Sequence, residues 1–69
     1  MDFSVIIEKD EDGYYVATIP ALKGCYTQAK SLDVLNVRIL EVVDLCLEEQ
    51  RESFKPLEFV GMQRIRVAV

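Results

Sequence analysis

Apolar and polar positions in the first third of the chain form two β-like runs separated by a charged tetrapeptide. Residues 2–9 alternate loosely and are rich in β-forming side chains, and residues 14–19 have the sequence Tyr-Tyr-Val-Ala-Thr-Ile. Between them lies Asp-Glu-Asp-Gly, a turn signal in which Gly13 can supply a positive φ. The pattern predicts an antiparallel hairpin.

A proline and a glycine frame the next turn. Pro20 cannot donate a hydrogen bond to a strand ladder and therefore ends the second strand. Residues 25–29, Cys-Tyr-Thr-Gln-Ala, then predict a short third strand. Within the intervening turn, Pro20, Leu22 and Gly24 are interpreted as turn architecture, in the same role as Gly13 in the hairpin.

A helical repeat of apolar residues follows Ser31, which is a plausible N-cap. The repeat predicts a helix over residues 32–50, with a core stripe of Leu32, Leu35, Ile39, Val42, Val43 and Cys46. Leu40 and Leu47 widen that stripe beyond the roughly 100° that one sheet face covers. Either long charged side chains and the C-terminal segment cover the excess, or a second subunit does, and we prefer the second interpretation.

Residues 62–69 alternate between apolar side chains and arginines, which predicts a fourth strand. The expected fold is therefore α+β, a single domain over residues 1–69 with the order βββαβ. Its mixed four-stranded sheet would carry the helix on one face, and the fourth strand would join the free edge of the first.

The alternation assigns side chains to two sheet faces. The face expected under the helix carries Val5, Ile7, Ala17, Ile19, Ile65 and Val67. The opposite face, which no helix is left to cover, carries Ile6, Glu8, Tyr14, Val16, Thr18, Arg64 and Arg66. Because the first two strands are apolar on both sides, the reverse assignment stays open.

Length, hydropathy and charge narrow the class of function. A chain of 69 residues builds only a marginal core, so association is an expected source of stability. No apolar stretch approaches the ~20 residues that span a bilayer, and the N-terminus lacks the features of a signal peptide, so we expect a cytoplasmic protein with no membrane contact. The net charge of −4 disfavours autonomous binding to nucleic acid.

Candidate reactive groups are few, and we expect neither an enzyme nor a cofactor. The chain has no histidine to act as a base for Cys25, and two cysteines alone cannot complete a zinc site. Cys25 and Cys46 are interpreted as small buried apolar residues. The three carboxylates at 10–12 are interpreted as a solvated hairpin tip, and metal-dependent nuclease chemistry would need more converging carboxylates than this chain offers.

Three motifs in order resemble the HicB-like antitoxin family. They are Gly13-Tyr14-Tyr15-Val16-Ala17, Ile19-Pro20-Ala21-Leu22-Lys23-Gly24-Cys25 and Ser31-Leu32-Asp33. The resemblance implies a truncated RNase H-like fold and a role in binding and silencing a small mRNA-cleaving toxin, HicA. The chain resembles a solitary form without the C-terminal DNA-binding domain, so no DNA binding by this chain alone is expected.

These lines converge on an antitoxin-type interaction domain that forms a dimer or tetramer with itself and covers a small basic RNase. The candidate partner surface consists of Tyr14, Val16, Thr18, Arg64, Arg66, Leu40, Leu47 and Glu48. An alternative is a stand-alone homo-oligomeric regulatory or small-molecule-binding domain with no toxin. A third alternative is an RNA-binding module that uses Arg64 and Arg66. The competing, purely structural explanation of these two arginines is that they pair with Glu8 or Glu58 across the sheet.

Overall fold

The computed structural model describes residues 2–53, 55 and 57–68 and has an α+β architecture. Its elements are β1 (Ile6–Lys9), β2 (Tyr15–Thr18), β3 (Tyr26–Ala29) and the helix α1 (Leu32–Glu49). The strands form an antiparallel sheet in the order β1-β2-β3, and α1 packs on one face of it. The α+β class and the first four predicted elements are confirmed.

The β1–β2 turn is organised by the side chain of Asp10. Its Oδ1 accepts hydrogen bonds from the backbone N–H groups of Asp12 (3.0 Å) and Tyr14 (2.9 Å). The backbone N–H of Asp10 also donates to the carbonyl of Tyr14 (2.9 Å), and Gly13 has a φ of +85°. The first carboxylate of the acidic run therefore closes the hairpin, which is a common use of aspartate in turns.

The second turn, between β2 and β3, brings a leucine into the core. The N–H of Ile19 donates to the carbonyl of Cys25 (3.0 Å), and the N–H of Cys25 donates to that of Leu22 (3.2 Å). Leu22 is only 2% exposed, and Gly24 has a φ of +67°, in the region that L-residues avoid. The interpretation of this segment as turn architecture is confirmed.

Strand register fixes which side chains lie under the helix. Ala17 stands opposite Ile7 on one side and Thr27 on the other, and all three belong to the helix side of the sheet. The predicted face is confirmed for four of its members, namely Val5 before β1, Ile7 in β1, Ala17 in β2 and Ile19 after β2. Two small core clusters result, one around Ile19 and Cys46 and the other around Ala17 and Leu35.

The helix lies over one side of the sheet only. Ser31 Oγ accepts from the N–H of Val34 (3.2 Å), so the predicted N-cap is confirmed. Arg38 then ties the helix to the β3 edge by donating from Nη1 to the carbonyl of Gln28 (2.7 Å). Because α1 contacts β3 and β2 but not β1, Ile7 stays 46% exposed although it belongs to the helix side.

The C-terminal segment differs from its prediction. Residues 57–68 form no strand. The sheet of the described residues therefore has three antiparallel strands, whereas a mixed sheet of four strands was predicted. Ile65 and Val67, expected under the helix, are 72% and 70% exposed. Val69, the last residue of the predicted strand, lies outside the described residues. A strand exists only where a partner edge pairs with it, and alternation in the sequence does not say which edge.

Candidate interaction surfaces

The sheet face opposite the helix carries three of the predicted surface residues. Tyr14, Val16 and Thr18 are all partly buried there, and Thr18 stands between Ile6 and the exposed Tyr26 in neighbouring strands. Lys30 Nζ lies 5.4 Å from the centroid of the Tyr14 ring, a cation–π distance. The face therefore presents a mixed polar and aromatic surface to solvent.

Arg64 and Arg66 are not brought to that face. Both are exposed and belong to the segment that pairs with no strand. The structure accordingly divides the predicted partner surface into a sheet part, a helix part and a separate C-terminal part.

The helix part of the predicted surface is exposed unevenly. Leu40 is 70% exposed and Glu48 is exposed, whereas Leu47 is half-buried and packs against the cluster around Ile19. On the other flank of α1, Val37 and Leu45 are 57% and 62% exposed. Apolar side chains thus reach solvent on both flanks of the helix.

One flank of α1 faces away from β3, towards the side of the sheet on which β1 lies. Positions spaced three and four residues apart form a line along a helix, and such a line is made by Leu32, Leu40, Val43 and Leu47, with Asn36 between the first two. Arg38, on the opposite flank, contacts β3, so this line faces the β1 side of the sheet. We call the region between this line and the free edge of β1, which includes the exposed Ile7, the β1 slot.

The C-terminal end of α1 is acidic. Its last turn contains no basic residue, and Glu48, Glu49 and Glu52 surround a shallow depression that also includes Arg51 and Ser53. Negative charge at this end interacts unfavourably with the helix dipole, and each exposed residue typically lowers the stability of the helix by about 0.3–1 kcal/mol. The arrangement costs the isolated chain some stability and provides an acidic surface next to exposed apolar side chains.

Sequence reasoning missed a long-range amide clamp. The side chain of Gln50 accepts from the N–H of Lys23 (3.1 Å) through Oε1 and donates to the carbonyl of Lys23 (2.7 Å) through Nε2. The same residue caps α1, since its N–H donates to the carbonyl of Cys46 (3.0 Å). No local pattern could have revealed the clamp, because the two residues are 27 positions apart.

The two cysteines lie together in the core and are free thiols. Cys25 and Cys46 are 2% and 8% exposed, which confirms that they are buried. Desolvation, followed by hydrogen-bonding and Coulomb effects of Cys46, raises the pKa of Cys25 from 9.0 to about 12. Cys25 Sγ lies 3.7 Å from the carbonyl oxygen of Val42, to which it donates. The thiolate needed for nucleophilic attack is thus strongly disfavoured at neutral pH.

An open groove of about 650 Å³ lies beside the start of β1. Its walls come from the N-terminal residues 2–4, from Ile6, from the Pro20–Ala21 turn and from residues 57–61. The groove is the place where the C-terminal segment passes the rest of the molecule. In the described parts of the chain, no group of three or more metal-ligating side chains comes together, in this groove or outside it.

The described helix does not have the length and apolar character required to cross a bilayer.

Comparisons with known proteins show what the chain is similar to. It is 51% identical to a UPF0150 protein of Archaeoglobus fulgidus over 97% of this chain and 96% of that protein. It is also 48% identical to a UPF0150 protein of Synechocystis and 44% identical to one of Thermoplasma acidophilum, with at least 94% of each relative covered. Neither a family model nor a solved structure matches the chain. Identity at this level over nearly the whole of both sequences shows that the chain belongs to the UPF0150 family.

Proposed function

We propose that this chain is an antitoxin-type interaction domain that binds and neutralises a small basic RNase resembling HicA. The observation that carries the proposal is the outer surface of α1, where exposed apolar side chains stand among carboxylates. Val37, Leu40 and Leu45 are each more than half exposed. Large apolar side chains that reach solvent among charged ones are typical of a protein-binding site.

The charge of that surface fits a basic partner. Glu41, Asp44 and Glu48 are exposed on α1, and the helix end adds Glu49 and Glu52. An acidic surface accelerates encounter with a cationic protein and suppresses binding of acidic ones. An RNase that must attract a phosphate backbone is expected to be cationic, so the two charges are complementary.

The proposal includes a non-enzymatic role in the cytoplasm. It is supported by the pKa of the Cys25 thiol, which burial raises to about 12, and by the absence of histidine from the chain. Inhibition would then be steric and electrostatic, because the domain covers the toxin's catalytic surface and does not modify it.

The fold part of the proposal is that residues 62–68 form a fourth strand on β1 and complete a truncated RNase H-like sheet. The alternation of this segment and the free edge of β1 support it. A segment that enters the sheet after a helical crossover would lie parallel to β1, with the usual right-handed connection.

The experiment that tests the antitoxin role uses the reading frames adjacent to this gene. We expect one of them to encode a short basic protein that stops bacterial growth, and co-expression of this chain to restore growth. Leu45→Asp should abolish the rescue, because a charge placed in the apolar contact would be buried without a partner.

The matched control is Glu11→Lys, at the hairpin tip, which should leave the rescue intact. Circular dichroism would establish that both variants keep their fold. The antitoxin role is excluded if no adjacent frame is toxic, or if Leu45→Asp rescues growth as well as the wild type.

A second candidate function is favoured by the groove beside β1. Its size is in the range of small-molecule sites, and it combines apolar side chains such as Phe59 with the polar residues Asp2 and Ser4. A stand-alone small-molecule-binding domain would show saturable binding of an apolar fluorescent dye. Phe59→Asp should abolish that binding, whereas Leu45→Asp should not.

A further inference from the structure

The edge strand β1 is left incomplete in two ways by the described fold. It pairs only with β2, so its other row of backbone groups faces no strand in the described residues. Its helix-side residue Ile7 is also uncovered, because α1 does not extend over β1. Open edges of this kind are normally paired, covered or protected by charge.

The β1 slot has the chemistry of a strand-binding site. The edge provides backbone donors and acceptors, and the helix flank above it provides the exposed Leu32 and Leu40 with the half-buried Val43 and Leu47. A strand that enters here would point its inward side chains to the helix side of the sheet, towards that flank and Ile7. Its alternate, outward side chains would lie beside Glu8, which projects from β1 on the other face.

The C-terminal segment carries the pattern that this slot requires. Ile65 and Val67 would point under the helix flank, and Arg64 and Arg66 would then lie on the same face as Glu8. In the single chain the two apolar residues are 72% and 70% exposed. The segment thus matches the β1 slot in hydropathy and charge without occupying the slot of its own chain.

The total surface of the chain shows how much remains to be buried. A folded monomer of 7.9 kDa is expected to expose about 4,400 Å², whereas this chain exposes 6149 Å². Its radius of gyration is 13.6 Å, compared with about 11 Å for a folded domain of this length. The excess of about 1,700 Å² is twice the roughly 800 Å² that each partner buries in a standard interface.

We propose that two copies of this chain exchange residues 62–68, each inserting the segment as a fourth strand into the β1 slot of the other. The occupant is a second copy because the matching segment is exposed in its own chain and the excess surface of each copy is large enough for a standard interface. Exchange of an identical element is a low-cost route to a symmetric dimer. The inference rests on the proposed fourth strand but requires no toxin.

Sedimentation of the full chain tests the dimer. At micromolar concentration, the wild type should sediment at twice the chain mass of 7.9 kDa. Ile65→Asp should weaken dimerisation at least about a hundredfold, since it would bury an unpaired charge. It should keep the helical part of the circular dichroism spectrum, because α1 does not depend on the exchanged segment.

The matched control is Val60→Asp, an exposed position outside the exchanged segment. It should sediment as the wild type does. A wild-type monomer at these concentrations, or a dimer that Ile65→Asp leaves intact, overturns the exchange.

Disulfide trapping distinguishes exchange from folding back within one chain. Copies carrying Glu8→Cys are mixed with copies carrying Arg64→Cys or Arg66→Cys and then oxidised, while the buried native thiols stay protected. Exchange predicts a mixed covalent dimer for at least one pair, and none when Glu41→Cys replaces Glu8→Cys.

The intrachain outcome has its own signature. If a chain carrying Glu8→Cys and Arg66→Cys together yields only a monomeric disulfide, the fourth strand forms within one chain and the exchange is wrong. Neither trapping experiment contains a toxin. A negative result here therefore does not test the antitoxin proposal, which is tested separately by the growth assay.

Discussion

Single side chains show most clearly how burial changes chemistry in this fold. Cys25 is 2% exposed, and the loss of solvent is the largest cause of the rise in its pKa to about 12. The neighbouring Cys46 adds a hydrogen bond and a Coulomb effect in the same direction. A thiol in such surroundings behaves as a packing residue and not as a nucleophile.

The raised pKa of Cys25 predicts alkaline destabilisation. Above pH 9.0 the thiol ionises in the unfolded chain but stays protonated in the folded one, so the free energy of unfolding falls as pH rises towards about 12. The slope from this group is at most about 1.4 kcal/mol per pH unit. Urea unfolding of the wild type and Cys25→Ala between pH 8 and pH 11 should give a shallower fall for the variant. Equal slopes would show that Cys25 does not cause the loss.

Residues with a local role were predictable from the sequence. Ser31 precedes a helical repeat, and Gly13 ends a turn sequence. The backbone conformation of each can therefore be predicted from the few residues next to it in the sequence. Arg38 and Gln50 were not predictable in this way. Their partners, Gln28 and Lys23, are distant in sequence and become neighbours only when the helix docks on β3 and the second turn.

The end of the helix is fixed to the turn between β2 and β3 by the Gln50 clamp. Gln50→Ala removes both hydrogen bonds to the backbone of Lys23, and we expect the free energy of unfolding to fall by about 1–2 kcal/mol. Urea denaturation measures the change. The neighbouring Glu49→Ala is the control, and it should stay within about 0.5 kcal/mol of the wild type. Similar values for the two variants would mean that the clamp contributes no net stability.

Elements were predictable where their partners are adjacent in sequence. The hairpin and third strand each lie beside the preceding strand, and the helix packs back on the sheet that precedes it. The last segment has an equally clear alternation, but alternation specifies only which side chains share a face. Alternation does not determine which strand edge the segment pairs with, because that choice depends on contacts with residues distant in the sequence.

The molecule as a whole exposes more surface than its mass requires. The helical repeat indicated an apolar excess on the helix, and the exposure of Leu40 confirms it, whereas Leu47 is half-buried. The position of the excess was less predictable. Part of it belongs to residues 62–68, which were expected to form a packed strand and are exposed instead.

Association should therefore be measurable as stability. If dimerisation buries the excess surface, the midpoint of thermal unfolding must rise with protein concentration by mass action. Calorimetry from 10 to 500 μM should show a rise of several degrees for the wild type and none for Ile65→Asp. A wild-type midpoint that does not change over this range contradicts association as a source of stability.

The order of β1, β2, β3 and α1 in space is the same as their order along the chain. Such nearest-neighbour topology is quick to fold, and a polypeptide emerges from the ribosome from its N-terminus. The scaffold through Glu49 can thus form early from contacts between neighbouring elements, so the free edge of β1 would be complete before the proposed exchange begins.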